Sequence, residues 1–363
     1  MTRLAVVTLV LGAALLVAGC GRPVVDPLGP SDLDAAISSI VDVGETVELA
    51  LETDAAFQAM SMPCGWLTQP PIPLAATPSV VIEHEPLDRG IYECNPMTFE
   101  WDYVGPSDDL EYRWSFLDAS DDLRDAVLVI DWGTTKDVGD SFGGTVEVPT
   151  DDMTVALTID GAAAAVFDVA LGWYVGATCP AGVLVPTSGL VDGSIGIDAT
   201  LALNAVGFTL ADDAFDTSGE IVATAGSNAI GVDWDIGLGI DVTRVDCFID
   251  GFEVIDGSVA VAVFGTDAGT TTRLALSFGF SDVETGEFGG LESVAISGGH
   301  LRLNDTTIVT FAGTLDDAND NDIPGDNLVL TFADGTTMTL EAYLETYVVE
   351  TTALVRRALS LLR

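Results

Sequence analysis

The sequence predicts a mainly β protein, either an antiparallel sandwich or an open, barrel-like sheet, with a duplicated β unit and a helix near each end. Two features carry this prediction. From Gly143 to about Leu340, apolar and polar residues alternate with a period of two, as strands with one buried face require. Asp-Gly, Gly-Gly and Ser-Gly pairs interrupt the alternation at short intervals, where turns between antiparallel strands belong.

The first helix is predicted at 32–42, because apolar residues keep helical spacing there and Ser31 can cap its N-terminus. Residues 45–58 stay open between helix and strand, since Val47 and Leu49 belong to an alternating run. The C-terminal helix is predicted within 341–363. Its apolar residues form a stripe, its glutamates lie early and its arginines lie late, as the helix dipole prefers.

Residues 61–96 contain many prolines and are predicted to be irregular. Short strand-like runs begin near Thr98. They are TFEWDYV, LEYRWSFLD, DAVLVIDW, TVEVPT, MTVALTID, SIGIDATLALN, EIVATA, SVAVAVFG, RLALSFGF, HLRLN, TIVTFAG and NLVLTFADG.

Three pairs of matching segments follow each other in the same order within the β region, and the members of each pair lie 67, 68 and 64 residues apart. This spacing favours a duplicated β unit, although any β-rich, Gly-rich sequence yields some echoes of this kind. The matching pairs are Phe167–Gly172 with Trp234–Gly239, Cys179 with Cys247, and Val191–Ile195 with Ile255–Val259.

The charge of the chain excludes some partners. The 363 residues carry 57 acidic and 12 basic side chains, a formal net charge of −45. Such a field repels polyanions, so we expect no nucleic-acid partner. With 48% apolar residues, the chain has enough hydrophobic material for a folded core.

The first twenty residues have the features of an export signal. Arg3 supplies the positive start, and the apolar run that follows is too short for a membrane span. Val17-Ala18-Gly19-Cys20 resembles the lipobox of bacterial lipoprotein precursors. An ordinary secretory peptide with a chance cysteine is the alternative.

The resemblance to lipoprotein precursors implies that the peptide is cleaved before Cys20 and that this cysteine is lipidated. The implied partner is a bacterial membrane, reached through the lipid, with the folded part outside the cytoplasm in the cell envelope. Several acyl chains on one cysteine give stable anchoring. The predicted organisation is a signal peptide (1–19), a lipidated tether (20–31), an N-terminal helix with mixed β structure (32–142), a repeat-containing β region (143–340) and a C-terminal helix (341–363).

Four further cysteines remain after Cys20, namely Cys64, Cys94, Cys179 and Cys247. An even number in an exported chain predicts two disulfides, and four cysteines allow three pairings. The favoured pairing is Cys64 with Cys94 and Cys179 with Cys247, because the latter two occupy equivalent positions of the repeat.

No catalytic residue is assigned from the sequence. His84 and His300 stand in unrelated contexts, and neither belongs to HExxH or a comparable ligand spacing. We expect His300 on the polar face of a strand. Asp131 is the most site-like carboxylate, followed by Asp233 and Asp235, although an Asp at a strand end is more often a turn residue.

Four tryptophans lie in the first third of the chain: Trp66, Trp101, Trp114 and Trp132. They could form a platform for sugars or peptides, but alternation within strands favours a place in the core.

A possible calcium loop lies at Leu315–Asn327. Asp317, Asn319 and Asn321 stand at alternate positions, as oxygen ligands do at the start of calcium loops. Over about ten residues the run resembles the DxDxDG-type loops of thrombospondin type 3 and dockerin repeats. The resemblance implies ligands from Asp317, Asn319, Asn321 and Asp326.

The loop departs from that pattern at Asp322, where glycine makes the sharp turn, and at Gly325, where an acidic ligand is expected. A polar hairpin loop with solvated acids is the alternative.

Two classes of function follow from these features. The first is a non-enzymatic envelope lipoprotein with a structural or binding role and an unknown ligand. The second is a hydrolase that uses a pair of acids on envelope or extracellular glycans.

Overall fold

A computed structural model of the chain describes residues 30–61, 89–95, 97–98, 100–133, 135–139, 145–149, 152–174, 185–245, 248–285, 291–316 and 325–347. Within these residues there are three helices, α1 (Pro30–Thr53), α2 (Ala55–Ser61) and α3 (Leu340–Tyr347). The strands of the first half are β1 (Gly90–Cys94), β2 (Trp101–Gly105), β3 (Leu110–Leu117), β4 (Leu123–Trp132), β5 (Thr135–Gly139), β6 (Thr145–Pro149), β7 (Asp152–Ile159), β8 (Ala162–Tyr174) and β9 (Val185–Ile195). Those of the second half are β10 (Ala199–Leu210), β11 (Ala214–Ala225), β12 (Asn228–Val245), β13 (Phe248–Asp267), β14 (Thr270–Thr285), β15 (Leu291–Leu303), β16 (Thr306–Asp316), β17 (Asn327–Phe332) and β18 (Thr337–Thr339).

The strands form one open sheet and one separate pair. Sixteen strands are hydrogen-bonded in the order β18-β17-β16-β15-β14-β13-β12-β11-β10-β9-β8-β7-β4-β3-β1-β2, and β5 pairs with β6. The strand pairs whose register is described are antiparallel, except that β1 and β3 pair in parallel because β2 returns along the far side of β1. The prediction of a mainly β fold with an open sheet and a helix near each end is therefore confirmed.

The N-terminal helix is longer than predicted. The helix expected at 32–42 is present, and α1 continues to Thr53, so the segment left open at 45–58 is helical in α1 and α2. Buried Ala36, Ile40, Val43 and Val47 follow each other three or four positions apart, which is the spacing of one helix face. Leu49 instead points to solvent and is 64% exposed.

The chain divides into two compact units by its internal contacts. One unit holds Glu45–Ala229 and Asp241–Phe252, and its core lies under the strands β3, β4 and β7. These strands alternate strictly between buried and accessible residues, as the sequence predicts. The most deeply buried side chains of this core are Tyr112, Leu128, Ile130, Leu157 and Ile159.

The other unit contains Ile230–Ile240, the chain from Glu253 onward and the part of α1 up to Gly44. Its core is formed by the inner faces of β13–β17. The C-terminal helix begins as predicted, and Tyr343 of α3 is fully buried against Phe332 of β17, with ring centroids 5.9 Å apart. The predicted continuation of this helix beyond Tyr347 lies outside the described residues.

The run SIGIDATLALN, predicted as one strand, is divided between β9 and β10. Gly196 breaks it with φ +132°, and a Cβ atom there would meet the carbonyl oxygen of Ala199 at 1.7 Å. Alternation cannot reveal this break, because the apolar pattern continues through the turn.

The two copies of the sequence repeat occupy corresponding strands. The first and last motifs of the earlier copy lie on β8 and β9, and those of the later copy lie on β12 and β13. In each copy the two motifs therefore belong to consecutive strands. The middle match of the repeat, Cys179 with Cys247, lies outside the described residues.

Candidate functional site

A row of polar side chains crosses the accessible face of the sheet from β4 to β9. In this row Asp131 pairs with Thr154, Thr154 with Asp168, and Asp168 with Asp192. Neighbouring strands lie about 4.8 Å apart, so these side chains are direct neighbours. The carboxylate named from the sequence, Asp131, thus belongs to a line of three acids on four adjacent strands.

Hydrogen bonds fix part of this row. The Thr154 hydroxyl donates to Asp168 Oδ1 at 3.1 Å, and Asp192 Oδ2 accepts the backbone N–H of Ala205 at 3.0 Å. Ala205 has φ +48° and sits where the β9–β10 pairing shifts register. The bulge therefore turns a backbone donor toward Asp192, which offsets part of the repulsion between Asp192 and Asp168.

Nothing in the sequence singles out Asp168 and Asp192, although both stand inside the repeat motifs. Their meeting depends on the register of β8 against β9, which is a non-local property. Asp131, Asp168 and Asp192 are all exposed on an open strand face. Chemically, the row concentrates negative charge and attracts cations or basic groups.

Asp233 has a structural partner. Its carboxylate lies 2.8 Å from Arg273 Nη2, and the Arg273 guanidinium lies 5.9 Å from the ring centre of Phe264. Asp235, two positions along β12, is exposed. The pair flanking Trp234 is therefore not a matched acid pair, because Arg273 neutralises one member.

His300 occupies the polar side of β15, as predicted. It pairs with Ser277 on β14 and Thr310 on β16, while its neighbour Leu301 is buried. The His300 Nδ1 atom is buried and has no hydrogen-bond partner among the described residues. The other histidine, His84, lies outside them.

The three strand tryptophans of the first third of the chain belong to the core or pack against it, as expected: Trp101, Trp114 and Trp132. Trp114 is 6% exposed, and its indole N–H donates to the carbonyl oxygen of Ala59 in α2 at 3.1 Å. Trp101 packs edge-on against Tyr112 at 4.7 Å. Burial raises the pKa of the Tyr112 phenol above its ordinary value. Trp66 lies outside the described residues.

Trp132 has a cation above its ring. The Arg89 guanidinium lies 4.9 Å from the ring centre, and its two terminal nitrogens donate to the carbonyl oxygens of Asp108 (2.7 Å) and Trp132 (3.1 Å). These contacts tie the start of β1 to the end of β4.

Three of the four predicted calcium ligands lie outside the described residues, namely Asp317, Asn319 and Asn321. Asp326 stands in the turn before β17. Gly325, where the calcium pattern expects an acid, has φ +110°, and a Cβ atom there would meet Leu340 at 2.7 Å. Packing against α3 thus explains the glycine at this position.

Of the cysteines, Cys94 at the end of β1 is disulfide-bonded. Cys20, Cys64, Cys179 and Cys247 lie outside the described residues, so the pairing stays a prediction.

Within the described ranges, no cluster of three or more His, Cys, Asp or Glu side chains could hold a metal ion, and no helix is long and apolar enough to span a membrane. The chain matches no known protein family, no curated protein and no solved structure.

Proposed function

We propose that the chain is a lipid-anchored bacterial cell-envelope protein with a non-enzymatic role in structure or binding. The observation that carries the proposal is the sequence Val17-Ala18-Gly19-Cys20 after a charged start and a short apolar run. Lipid on Cys20 attaches the chain to a membrane, and the Pro- and Gly-rich tether to residue 31 spans at most about 40 Å. The folded strands then work close to the membrane surface, outside the cytoplasm.

The environment of the carboxylates supports a binding role. Asp131, Asp168 and Asp192 lie exposed on an open strand face, where water screens their charges. Asp233, the next candidate, is held in an ion pair with Arg273. An exposed line of like charges suits electrostatic attraction of a basic partner better than proton transfer.

The alternative is an acid-pair hydrolase acting on envelope or extracellular glycans. The observation in its favour is the direct opposition of Asp168 and Asp192, since retaining glycosidases hold two carboxyl groups about 5–5.5 Å apart. This proposal requires that Asp192→Asn abolish release of reducing ends from purified peptidoglycan or envelope polysaccharide. Equal product from the variant and the unaltered protein, or none from either, would remove the hydrolase.

The anchor is tested in bacteria that express the full chain with labelled palmitate. We expect the label on the protein and the protein in the detergent phase, whereas Cys20→Ser should lose both. Gly21→Ala is the matched control, because it alters the tether and keeps the thiol. Palmitate on Cys20→Ser would disprove the lipidation site.

We also propose that the two disulfides join Cys64 with Cys94 and Cys179 with Cys247. The bonded state of Cys94 and the export signal support this pairing. Each bridge is expected to contribute about 2–4 kcal/mol. Peptide mapping without reductant should recover both pairs, and a crossed connection would refute the pairing and weaken the repeat argument.

A calcium-binding role is a further proposal for the loop after β16. Its support is the carboxylate of Asp316, which closes the loop with Asn327: Asn327 Nδ2 donates to Asp316 Oδ2 at 2.8 Å. The other oxygen, Oδ1, is buried and has no hydrogen-bond partner among the described residues. Asp316 directly precedes Asp317 in the sequence, so this oxygen is a further candidate ligand for a cation held by Asp317, Asn319, Asn321 and Asp326. Calcium prefers such oxygen ligands.

A further inference from the structure

We propose that the outer edge of β2, the last strand of the described sheet, accepts, as an added strand, an extended segment of a partner protein that carries a basic side chain between two apolar ones. The inference rests on the binding role proposed above and names the surface and the partner. It does not depend on the lipid anchor.

The edge offers backbone groups for pairing. In the described part of the sheet, β2 is the last strand and pairs only with β1. The backbone N–H of Asn95 donates to the carbonyl of Glu100 at 2.9 Å, which makes these two residues a hydrogen-bonded pair of the β1–β2 hairpin. Because such pairs alternate in antiparallel strands, Trp101 and Tyr103 direct their N–H and C=O groups away from β1, toward the free edge.

Aromatic side chains stand on one face of this edge. The Tyr103 ring packs edge-on against Tyr92 at 5.5 Å and lies over Gly90, where a Cβ atom would meet it at 2.5 Å. The residue is nevertheless 56% exposed. Trp101, on the same face, contacts Tyr112 and Trp114 and is half-buried. Apolar side chains of an added strand would therefore pack on rings whose positions are already fixed, which lowers the entropic cost of binding.

Negative charge stands on the opposite face. Asp102 pairs directly with Glu93 of β1, an arrangement that destabilises a sheet because the charges are alike. On its other side, Glu93 pairs with Arg113 of β3. Asp102 accepts the Asn95 side-chain amide at 3.1 Å, but none of the ion pairs among the described residues includes it. A basic side chain directly opposite Asp102 on an added strand would supply the missing countercharge.

The same charges argue against a second copy of the chain as occupant. Pairing β2 with β2 of another copy would bring two sets of Glu93, Glu100 and Asp102 together, on molecules that each carry a net charge of −45. A basic, alternately apolar segment fits both faces of the edge at once.

The test uses the full chain purified in detergent and the peptide Ser-Thr-Ile-Arg-Ile-Thr-Ser-amide, with fluorescein attached to its N-terminus. Anisotropy should show saturable binding, and Asp102→Lys should weaken it by at least about tenfold. Asp216→Lys is the matched control, since Asp216 is an exposed acid on β11, which has paired neighbours. It changes the net charge equally and should alter affinity by less than about twofold.

Two further arms separate strand addition from charge attraction. Asp102→Lys should prefer the peptide in which glutamate replaces arginine, which shows that the variant is folded and that the contact is direct. Methylating alternate backbone nitrogens on one edge of the peptide should abolish binding, whereas methylating those on the other edge should not. Equal loss from Asp102→Lys and Asp216→Lys, no binding at about 1 mM peptide, or a dimer that Asp102→Lys disrupts would each overturn the proposal. None of these outcomes bears on the lipid anchor.

Discussion

The carboxylate of Asp54 accepts a 2.7 Å hydrogen bond from the backbone N–H of Asp198, 144 positions further along the chain. The same oxygen accepts the N–H groups of Ile197 (2.9 Å) and Ala199 (3.1 Å), and its other oxygen accepts that of Ala56 at 2.9 Å. Asp54 is 3% exposed. One buried carboxylate thus caps α2 and binds three successive amides of the β9–β10 turn, which form an anion-binding concavity.

Replacing Asp54 with alanine should destabilise the fold strongly. The change leaves three N–H groups of the turn and one of the helix without their acceptor, and hydrogen bonds to charged groups are the stronger kind. We expect a loss of about 3 kcal/mol or more in the free energy of unfolding. Urea unfolding measures it, with Asp198→Ala, an exposed side chain of the same turn, as a control that stays within about 0.5 kcal/mol. Equal effects would contradict the role of Asp54.

Gly196 should be irreplaceable in that turn. Alanine at φ +132° is strained, and its Cβ would collide with backbone atoms of Ala199. We expect Gly196→Ala to cost about 3 kcal/mol, against about 1 kcal/mol for Gly226→Ala, where φ is +61° and the space is open. Thermal and urea unfolding of the two variants measure this difference. Similar losses in the free energy of unfolding would show that the backbone at Ala199 moves to accept the Cβ atom, and would contradict the prediction.

Asp118 and Asp160 should titrate below their ordinary range. Backbone N–H groups of Ser120 and Asp125, respectively, lower the pKa of each carboxyl, and Arg124 lowers both further. Because the folded-state pKa is depressed, the stabilisation is present above the unfolded pKa of about 3.9 and is lost as pH falls through the folded value. Carbonyl-detected NMR titration should give low midpoints for both groups. In Arg124→Met the two midpoints should rise only part of the way to the ordinary value, since the backbone hydrogen bonds remain. Ordinary midpoints in the unaltered protein would be inconsistent with these contacts.

Calcium should stabilise the chain through the loop after β16. Bringing several carboxylates together is favourable only around a cation, so millimolar calcium should raise the melting temperature and Asp317→Ala should remove that rise. Asp334→Ala, in the exposed turn after β17, should keep it. Titration calorimetry without any calcium heat at millimolar concentration would identify the loop as a plain turn.

Period-two alternation predicted β3, β4 and β7, because a strand with one buried face carries an apolar residue at every second position. It left residues 45–58 undecided, because Val47 stands in an alternating run of the sequence although it lies on the buried face of α1. It also could not reveal the opposition of Asp168 and Asp192 or the reach of Asp54 to Asp198, since both depend on register and packing between distant segments.

The structure of the mature N-terminus tests the central claim most directly. Intact-mass and tandem mass spectrometry of the protein purified from bacterial membranes should find a chain that begins at Cys20, with a diacylglyceryl group on its sulfur and its signal peptide removed. A chain that keeps Met1, or one that begins elsewhere with an unmodified cysteine, would contradict the lipid anchor and with it the proposed place of the protein in the cell envelope.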